Sequence, residues 1–142
     1  MQVKELMTRD IEFVNSNDSI KQAAEKMKEL NVGVLPVKTG NKLVGMLTDR
    51  DIVVRSVAPG LDPEQHQIID AFSEGVVACN GDDDIKDVAQ LMEERQIRRV
   101  VVKDNEEKVI GIVSLGDLAV NIGKEMVGEV LKEVSEPSEP VR

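Results

Sequence analysis

Two stretches of the chain carry apolar residues at helical spacing. Each has them at positions i, i+3, i+4 and i+7, which is the spacing of one buried helix face. Residues that favour helix starts precede each stretch: Asp18 or Ser19 before the first, and Asp83 or Asp84 before the second. The pattern therefore predicts two amphipathic helices. Their apolar stripes are Ile20, Ala23, Ala24 and Met27, and Ile85, Val88, Ala89 and Met92.

Short apolar runs flank each predicted helix and indicate strands. One extended piece precedes the helix, and two runs separated by a polar turn follow it, which favours a hairpin. A second helix begins after the hairpin, so the order β-α-β-β-α occurs twice and predicts a mixed α/β (α+β) fold class. Because proline cannot donate a ladder hydrogen bond, Pro36 predicts an edge strand, or a strand that ends there. The predicted strands are Ile11 to Val14, Val34 to Val37, Leu43 to Leu47, Val76 to Cys79, Arg99 to Val102 and Val109 to Val113.

The two copies form a sequence repeat. Ile20 and Ile85 lie 65 residues apart, and Thr48 and Ser114 lie 66 apart. Since there are only two copies, we expect a pair of motifs packed with pseudo-two-fold symmetry rather than a solenoid. The turn residues from Ala58 to Pro63 indicate a boundary. We predict a first motif with its linker at 1–63, a second motif at 64–123, and a C-terminal helix and flexible tail at 124–142. That helix has the stripe Val127, Val130, Leu131 and Val134, and the flexible tail is Ser135 to Arg142.

The same polar motif ends both copies. Gly, two apolar residues, Thr or Ser, and Asp three positions later mark each predicted strand-to-helix junction. A hydroxyl three residues before an acid is close to a capping box, so one interpretation is purely structural. The other is ligand binding, since helix amides and a hydroxyl suit a phosphate and a carboxylate suits a ribose diol. The glycines would allow a backbone to approach closely. The motif residues are Gly45, Thr48 and Asp51, and Gly111, Ser114 and Asp117.

The repeated order and motif resemble a tandem pair of cystathionine β-synthase (CBS) domains over roughly Val3 to Gly123. The Ala-Ala-Glu-Lys-Met helix and the stretch from Gly45 to Val53 look closest to small stand-alone bacterial and archaeal CBS-pair proteins. The resemblance implies that an adenosyl ligand binds, with the two Asp side chains on ribose hydroxyls and Thr48 and Ser114 on ribose or phosphate. It also implies that the base is enclosed by residues in the extended piece before each first helix and at the start of each first hairpin strand. Those residues are Ile11, Val32, Gly33, Val34, Val76 and Ile97.

Arg98 and Arg99 replace Gly33 and Val34 of the first copy. They can be a solvated pair at a strand start. Alternatively, they can bind phosphate, because the resemblance implies basic phosphate contacts at this position. The planar donor fork of arginine matches phosphate. We therefore expect the two clefts to differ, with the arginine-lined cleft preferring the more highly charged ligand.

Composition narrows the function classes. The net charge of −9 argues against a broad nucleic-acid or anionic-membrane surface, and no apolar run reaches membrane-spanning length. No catalytic set is recognisable, and Cys79 and His66 are too few for a structural zinc site. We expect Cys79 to be a buried strand thiol and His66 to be exposed in the linker.

These observations predict a regulatory protein that is not an enzyme and requires no cofactor or metal. The resemblance implies that its ligand is an adenine nucleotide or related adenosyl compound, such as AMP, ADP, ATP or S-adenosylmethionine. The alternatives are a structural or partner-binding subunit with empty clefts, and, less favoured, an enzyme. We expect a cytoplasmic homodimer, since related pairs associate through their helices, and an effector protein that the sequence does not identify.

Overall fold

The computed structural model describes residues 1–137, which form two compact units. The first unit is Ile11–Val76, and the second unit joins Met1–Asp10 to the chain from Val77 onward. Both contain helices and strands in the predicted order, so the mixed α/β fold class is confirmed. Residues 138–142, which belong to the predicted flexible tail, lie outside the described residues.

The first unit contains six regular elements. They are β1 (Val14–Asn15), α1 (Ile20–Leu30), β2 (Val34–Thr39), β3 (Lys42–Thr48), α2 (Asp49–Ile52) and β4 (Ser73–Glu74). The sheet order is β1-β2-β3-β4, and β2 and β3 form the predicted antiparallel hairpin. α2 continues directly into a π-helical turn at Val53–Val57.

α1 begins where the sequence predicts. Gln22 N donates to Ser19 Oγ at 3.1 Å and the Gln22 side chain accepts from Ser19 N at 2.8 Å, which makes a reciprocal capping box. Three of the four predicted stripe residues are buried, but Ala24 is exposed. The apolar stripe of α1 is therefore only partly covered within the described residues.

Within residues 1–137, the second unit also contains six α-helices and β-strands, besides a 3-10 turn at Val3–Glu5. They are β5 (Ala78–Asn80), α3 (Ile85–Arg95), β6 (Arg99–Lys103), β7 (Val109–Ser114), α4 (Leu115–Ala119) and α5 (Lys124–Ser135). The sheet order is β5-β6-β7, with β5 parallel to β6 and β7 antiparallel to it. All four predicted stripe residues of α3 are buried here.

α5 packs on α3 and α4. Val130 is fully buried, Val127 and Val134 are half-buried against the same core, and Leu131 remains 48% exposed. The predicted stripe is thus an internal contact of the second unit. Ser135 is the last residue of α5, so the predicted flexible tail begins too early.

Residues 1–10 pack on the second repeat rather than on the first. Val3 is fully buried and its N–H donates to Asp83 O at 2.9 Å. Thr8 and Ile112 exchange two backbone hydrogen bonds, of 2.8 and 3.1 Å, at the outer edge of β7. Residues 1–10, the lead-in segment of the first repeat, therefore extend the sheet of the second repeat, whose strands come about 70 or more residues later in the chain.

The corresponding segment before the second repeat packs on the first. Ile68 is fully buried, its N–H donates to Asp18 O at 2.9 Å, and β4 pairs with β3. The sequence-based divisions at 1–63 and 64–123 follow the repeat. Packing instead divides the chain after Asp10 and after Val76, because each lead-in segment buries its apolar residues in the other motif.

Gly45 and Gly111 lie where these segments cross the sheets. A Cβ atom at Gly111 would lie 2.8 Å from Thr8 O, and one at Gly45 would collide with Ser73 O. Glycine does permit a close backbone approach, as the sequence suggests. The approaching backbone is the chain's own lead-in segment, so both glycines have a structural reason to be there.

Pro36 lies inside β2, opposite Met46 of β3, and β2 is an interior strand. The prediction of an edge strand, or of a strand that ends at Pro36, is therefore wrong. β1 pairs only with Val37 and Lys38. At Pro36 itself the sheet has a neighbouring strand on one side, so the missing N–H is tolerated.

Candidate functional site

Thr48 and Asp51 form a closed reciprocal pair at the start of α2. Asp51 N donates to Thr48 Oγ1 at 3.0 Å, and Thr48 N donates to Asp51 Oδ2 at 2.9 Å. Ser73 Oγ adds contacts of 3.3 and 3.4 Å to the two carboxylate oxygens. These side chains cap the helix, as the structural interpretation predicts, and both are half-buried.

Ser114 and Asp117 repeat this geometry at the start of α4. Asp117 N donates to Ser114 Oγ at 3.1 Å, and Ser114 N donates to Asp117 Oδ2 at 2.8 Å. Within residues 1–137, no side-chain hydroxyl donates to this carboxylate, because Thr8 takes the place of Ser73 and makes no such bond. Asp117 therefore keeps one oxygen for another donor, whereas both Asp51 oxygens have a hydroxyl nearby.

Arg98 and Arg99 lie beside Ser114. Arg99 is its cross-strand partner on β6, and Arg98 O accepts the Leu115 N–H at 2.8 Å where α4 begins. Both side chains are exposed, and neither forms an ion pair with a carboxylate in the described part of the chain. Arg98 Nη2 donates to Ser135 Oγ at 3.2 Å, which leaves most of its donors free.

A pocket of about 400 Å³ lies in the second unit, beside the start of α4. It brings together three of the predicted site residues, both arginines and Ser114. Such a size is in the range of sites that hold small molecules. Two cationic side chains, one hydroxyl and an aliphatic wall line it. Its lining residues are Arg98, Arg99, Ser114, Leu115, Gly116, Ala119, Val127 and Leu131.

Five lining residues were not predicted as site residues. Leu115, Gly116 and Ala119 belong to the first turns of α4, and Val127 and Leu131 belong to α5. The sequence signal for α5 was its apolar stripe, which indicates burial but does not indicate against which element. Their role in the pocket follows from the packing of α5 on α4.

The remaining predicted site residues lie outside this pocket. In the first unit, Val34 is the cross-strand partner of Thr48, and Gly33 O accepts the Asp49 N–H at 2.9 Å. Val32 is 40% exposed in the same unit. Ile11 and Val76, the terminal residues of that unit, are half-buried, and Ile97 packs half-buried against the second core.

Cys79 lies on β5 as predicted, but it is half-buried rather than fully buried. Burial, with a smaller contribution from the charge of Asp83, raises the pKa of the Cys79 thiol to about 11, which disfavours the thiolate. His66 is half-buried and its Nδ1 lies 3.1 Å from Ser56 Oγ, so the expectation of an exposed linker histidine is wrong. No cluster of three or more His, Cys, Asp or Glu side chains suited to a metal ion occurs among residues 1–137. No helix in that range has the length and apolar character to cross a membrane.

Comparison with known proteins covers nearly the whole chain. The CBS domain matches twice, at residues 3–57 and 68–124. The CBS domain-containing protein YhcV of Bacillus subtilis is 42% identical over 94% of both chains. Hypoxic response protein 1 of Mycobacterium tuberculosis is 30% identical over 94% of both. A crystal structure of a conserved CBS domain protein of unknown function from Thermoplasma acidophilum superposes with a TM-score of 0.81 at 29% identity, covering 94% of this chain and 75% of that one.

Proposed function

The chain belongs to the CBS domain family, and we propose that it is a regulatory module that senses an adenine nucleotide or a related adenosyl compound. It carries two CBS domains, as do small stand-alone relatives of similar length. CBS pairs are regulatory modules that often bind adenosyl ligands. The identity of the ligand and its site on this chain are the parts that we propose.

The observation that carries the proposal is the pocket beside α4. Two exposed arginines lie beside the start of α4, and neither forms an ion pair with a described carboxylate. This concentration of positive charge occurs in a chain whose net charge is −9. Arginine pairs give charge-assisted hydrogen bonds to phosphate. The aliphatic wall suits the less polar part of the same ligand. Together they favour a nucleotide over an uncharged metabolite.

We assign roles to the second-unit residues on this basis. Arg98 and Arg99 bind the phosphate, Ser114 contacts phosphate or ribose, and the free oxygen of Asp117 accepts from ribose hydroxyls. Thr48 and Asp51, with Gly33 and Val34 beside them, provide a second and less basic site in the first unit. Ile11, Val32, Val76 and Ile97 are proposed to contact the base.

Calorimetric titration tests the proposal directly. We expect ligand-free protein to give binding heat with at least one of AMP, ATP and S-adenosylmethionine. Absence of heat with every adenosyl compound would contradict the proposal and favour the structural alternative. No Trp or Tyr is present in the sequence, so residual nucleotide in the preparation is readily detected by its absorbance.

Replacing both Arg98 and Arg99 with Ala separates phosphate binding from support of the pocket shape. We expect AMP and ATP to bind more weakly and with less salt dependence, since charge attraction is screened. Adenosine, which has no phosphate, should keep its affinity. An equal loss for adenosine and AMP would mean that the arginines shape the pocket, and no loss for either would make them a solvated pair.

A structural or partner-binding subunit is the second candidate, and the two closed capping boxes favour it. Thr48–Asp51 and Ser114–Asp117 each already make two reciprocal cap hydrogen bonds without a ligand. Under this alternative the motif residues stabilise helix starts only. The calorimetric experiment distinguishes the two candidates.

We also propose that the protein acts as a homodimer and passes its signal to an effector protein rather than catalysing a reaction, with no cofactor beyond the regulatory ligand. The helix after Thr48 exposes Val53, Val54 and Val57 by 57%, 49% and 58%, and Val120 after α4 is 83% exposed. Exposed apolar patches commonly mark interfaces. Light scattering should give twice the monomer mass of 15.6 kDa.

A further inference from the structure

We propose that α5 is a ligand-dependent element: occupancy of the pocket and docking of α5 on the second unit stabilise each other. The inference rests on the proposed function, because it requires a ligand in this pocket. It goes further by assigning a binding wall and a response to a helix that lies almost entirely outside the second CBS match, which ends at residue 124.

The first observation is that α5 supplies one wall of the pocket. Val127 and Leu131 form one side of it, and β6, the end of β7 and α4 form the other. Leu131 is 48% exposed although it lies in an apolar stripe, so it has surface left to bury against a ligand. A molecule that fills the pocket would contact both sides.

The second observation is a small set of polar contacts at the end of α5. Gln96 Nε2 donates to Glu133 O at 3.0 Å and to Glu136 O at 2.9 Å, which are carbonyls that the helix end leaves without partners. Arg98 Nη2 reaches Ser135 Oγ at 3.2 Å. The C-terminal end of α5 is therefore held by residues that adjoin or line the pocket.

The packing of α5 is modest enough to respond. Of its residues, only Val130 is fully buried, and Gly123 at its start makes no side-chain cap. Helices with few buried apolar residues open locally at low free-energy cost. A ligand that binds only the docked form shifts that equilibrium, and by linkage docking strengthens ligand binding.

The first unit offers a matched control. Asn31 ends α1 as Gln96 ends α3, and both residues have left-handed backbone conformations, with φ of 55° and 53°. Asn tolerates this conformation well. Gln96→Asn therefore keeps the helix end of α3 while shortening the side chain that reaches α5. Asn31→Gln makes the reciprocal change where no helix corresponding to α5 is described.

The experiment is hydrogen exchange of residues 124–135, read by mass spectrometry in the full chain. The probe is AMP, or ATP or S-adenosylmethionine if calorimetry shows heat only for that compound. In the free protein, Gln96→Asn should speed exchange of α5 about tenfold or more, since two hydrogen bonds are lost. Asn31→Gln should leave α5 unchanged. At a ligand concentration 100 times Kd, exchange of wild-type α5 should slow by about 100-fold.

The outcomes separate the two proposals. If calorimetry shows binding and α5 exchange does not change, this inference is overturned and the proposed function stands. If the ligand speeds exchange of α5, the coupling has the opposite sign and this inference is also overturned. Loss of the Arg98–Ser135 hydrogen bond, with Arg98 turning to the phosphate, would explain that result. If none of the three compounds gives binding heat, both proposals fail together.

Discussion

The first and second units contain the same helix in the same place, α1 in one and α3 in the other, with different surroundings. Ala24 of α1 is exposed, whereas the matching Ala89 of α3 is fully buried in the cluster that contains Val130 of α5. Val32 is 40% exposed, and the matching Ile97 packs against the second core. One motif is thus left open where the other is covered, and the pocket occurs in the covered one.

This difference indicates that the pocket of the second unit depends on features that the two motifs do not share. The hairpins and the capping boxes at the strand-to-helix junctions are the same in both units, because they follow from local sequence. The pocket needs two further features, the arginines at the start of β6 and a helix beside α4. Gly33 and Val34, which correspond to Arg98 and Arg99, have no charged group and no long side chain.

The largest expected effect concerns the residue that follows each motif Asp. Leu118 is fully buried, while the matching Ile52 is half-buried. We expect Leu118→Ala to lower the free energy of unfolding by about 2–5 kcal/mol, because it leaves a cavity in the core, and Ile52→Ala to cost clearly less. Chemical denaturation followed by circular dichroism measures both. Equal losses would mean that cover by α5 does not distinguish the two units.

A smaller effect is expected on the helix face that differs most. Ala89→Leu adds volume to a packed site and should cost about 1–3 kcal/mol. Ala24→Leu adds the same atoms to an exposed site and should change stability by less than about 0.5 kcal/mol. Thermal denaturation of the two variants checks this. A large loss for Ala24→Leu would show that α1 has a cover, such as a second copy of the chain.

The motif carboxylates sharpen the comparison at the level of binding. Asp51→Ala and Asp117→Ala should each cost about 1 kcal/mol of stability through the lost cap. Only Asp117→Ala is expected to weaken nucleotide binding in the second unit, by about 1.5–3 kcal/mol for one charge-assisted hydrogen bond. Calorimetry measures the loss of affinity and thermal melting of the same samples measures the loss of stability. A change in melting alone would make Asp117 a cap and nothing more.

The smallest effect involves Cys79, which has no cysteine counterpart because Val14 occupies the matching position. Burial raises its pKa to about 11, so the thiolate is scarce at neutral pH and becomes common only above that value. Alkylation by iodoacetamide at pH 7.5 should therefore be much slower than for a free cysteine and should rise steeply toward pH 11. Rapid labelling at neutral pH would indicate local opening around β5.

Much of the fold follows from local pattern, and the rest depends on tertiary contacts. Ser19 and Asp84 cap their helices as predicted, and the second hairpin strands end at Thr48 and Ser114, one residue later than predicted. Pro36 wrongly predicted an edge strand. It is tolerated in the interior strand β2 because β1 is only two residues long and pairs with Val37 and Lys38, not with Pro36. Sequence spacing does not give the length of a neighbouring strand.

Part of the candidate site could be recognised from the sequence. Ser114 belongs to the repeated motif, whereas Arg98 and Arg99 differ from their counterparts in the first copy. All three line one pocket in the structure. Val127 and Leu131 could be recognised as apolar helix positions only. Which element they face is decided by how α5 packs, and no local signal carries that information.

The exchange of lead-in segments also sets the order in which the chain can fold. Thr8 and Ile112, which pair in the second unit, are 104 residues apart, whereas the whole first unit is contiguous from Ile11 to Val76. During synthesis the first unit can therefore fold while residues 1–10 wait without partners. Closing so long a loop costs entropy and slows folding. We expect the second unit, which contains the pocket, to form last, after Ile112 has been made.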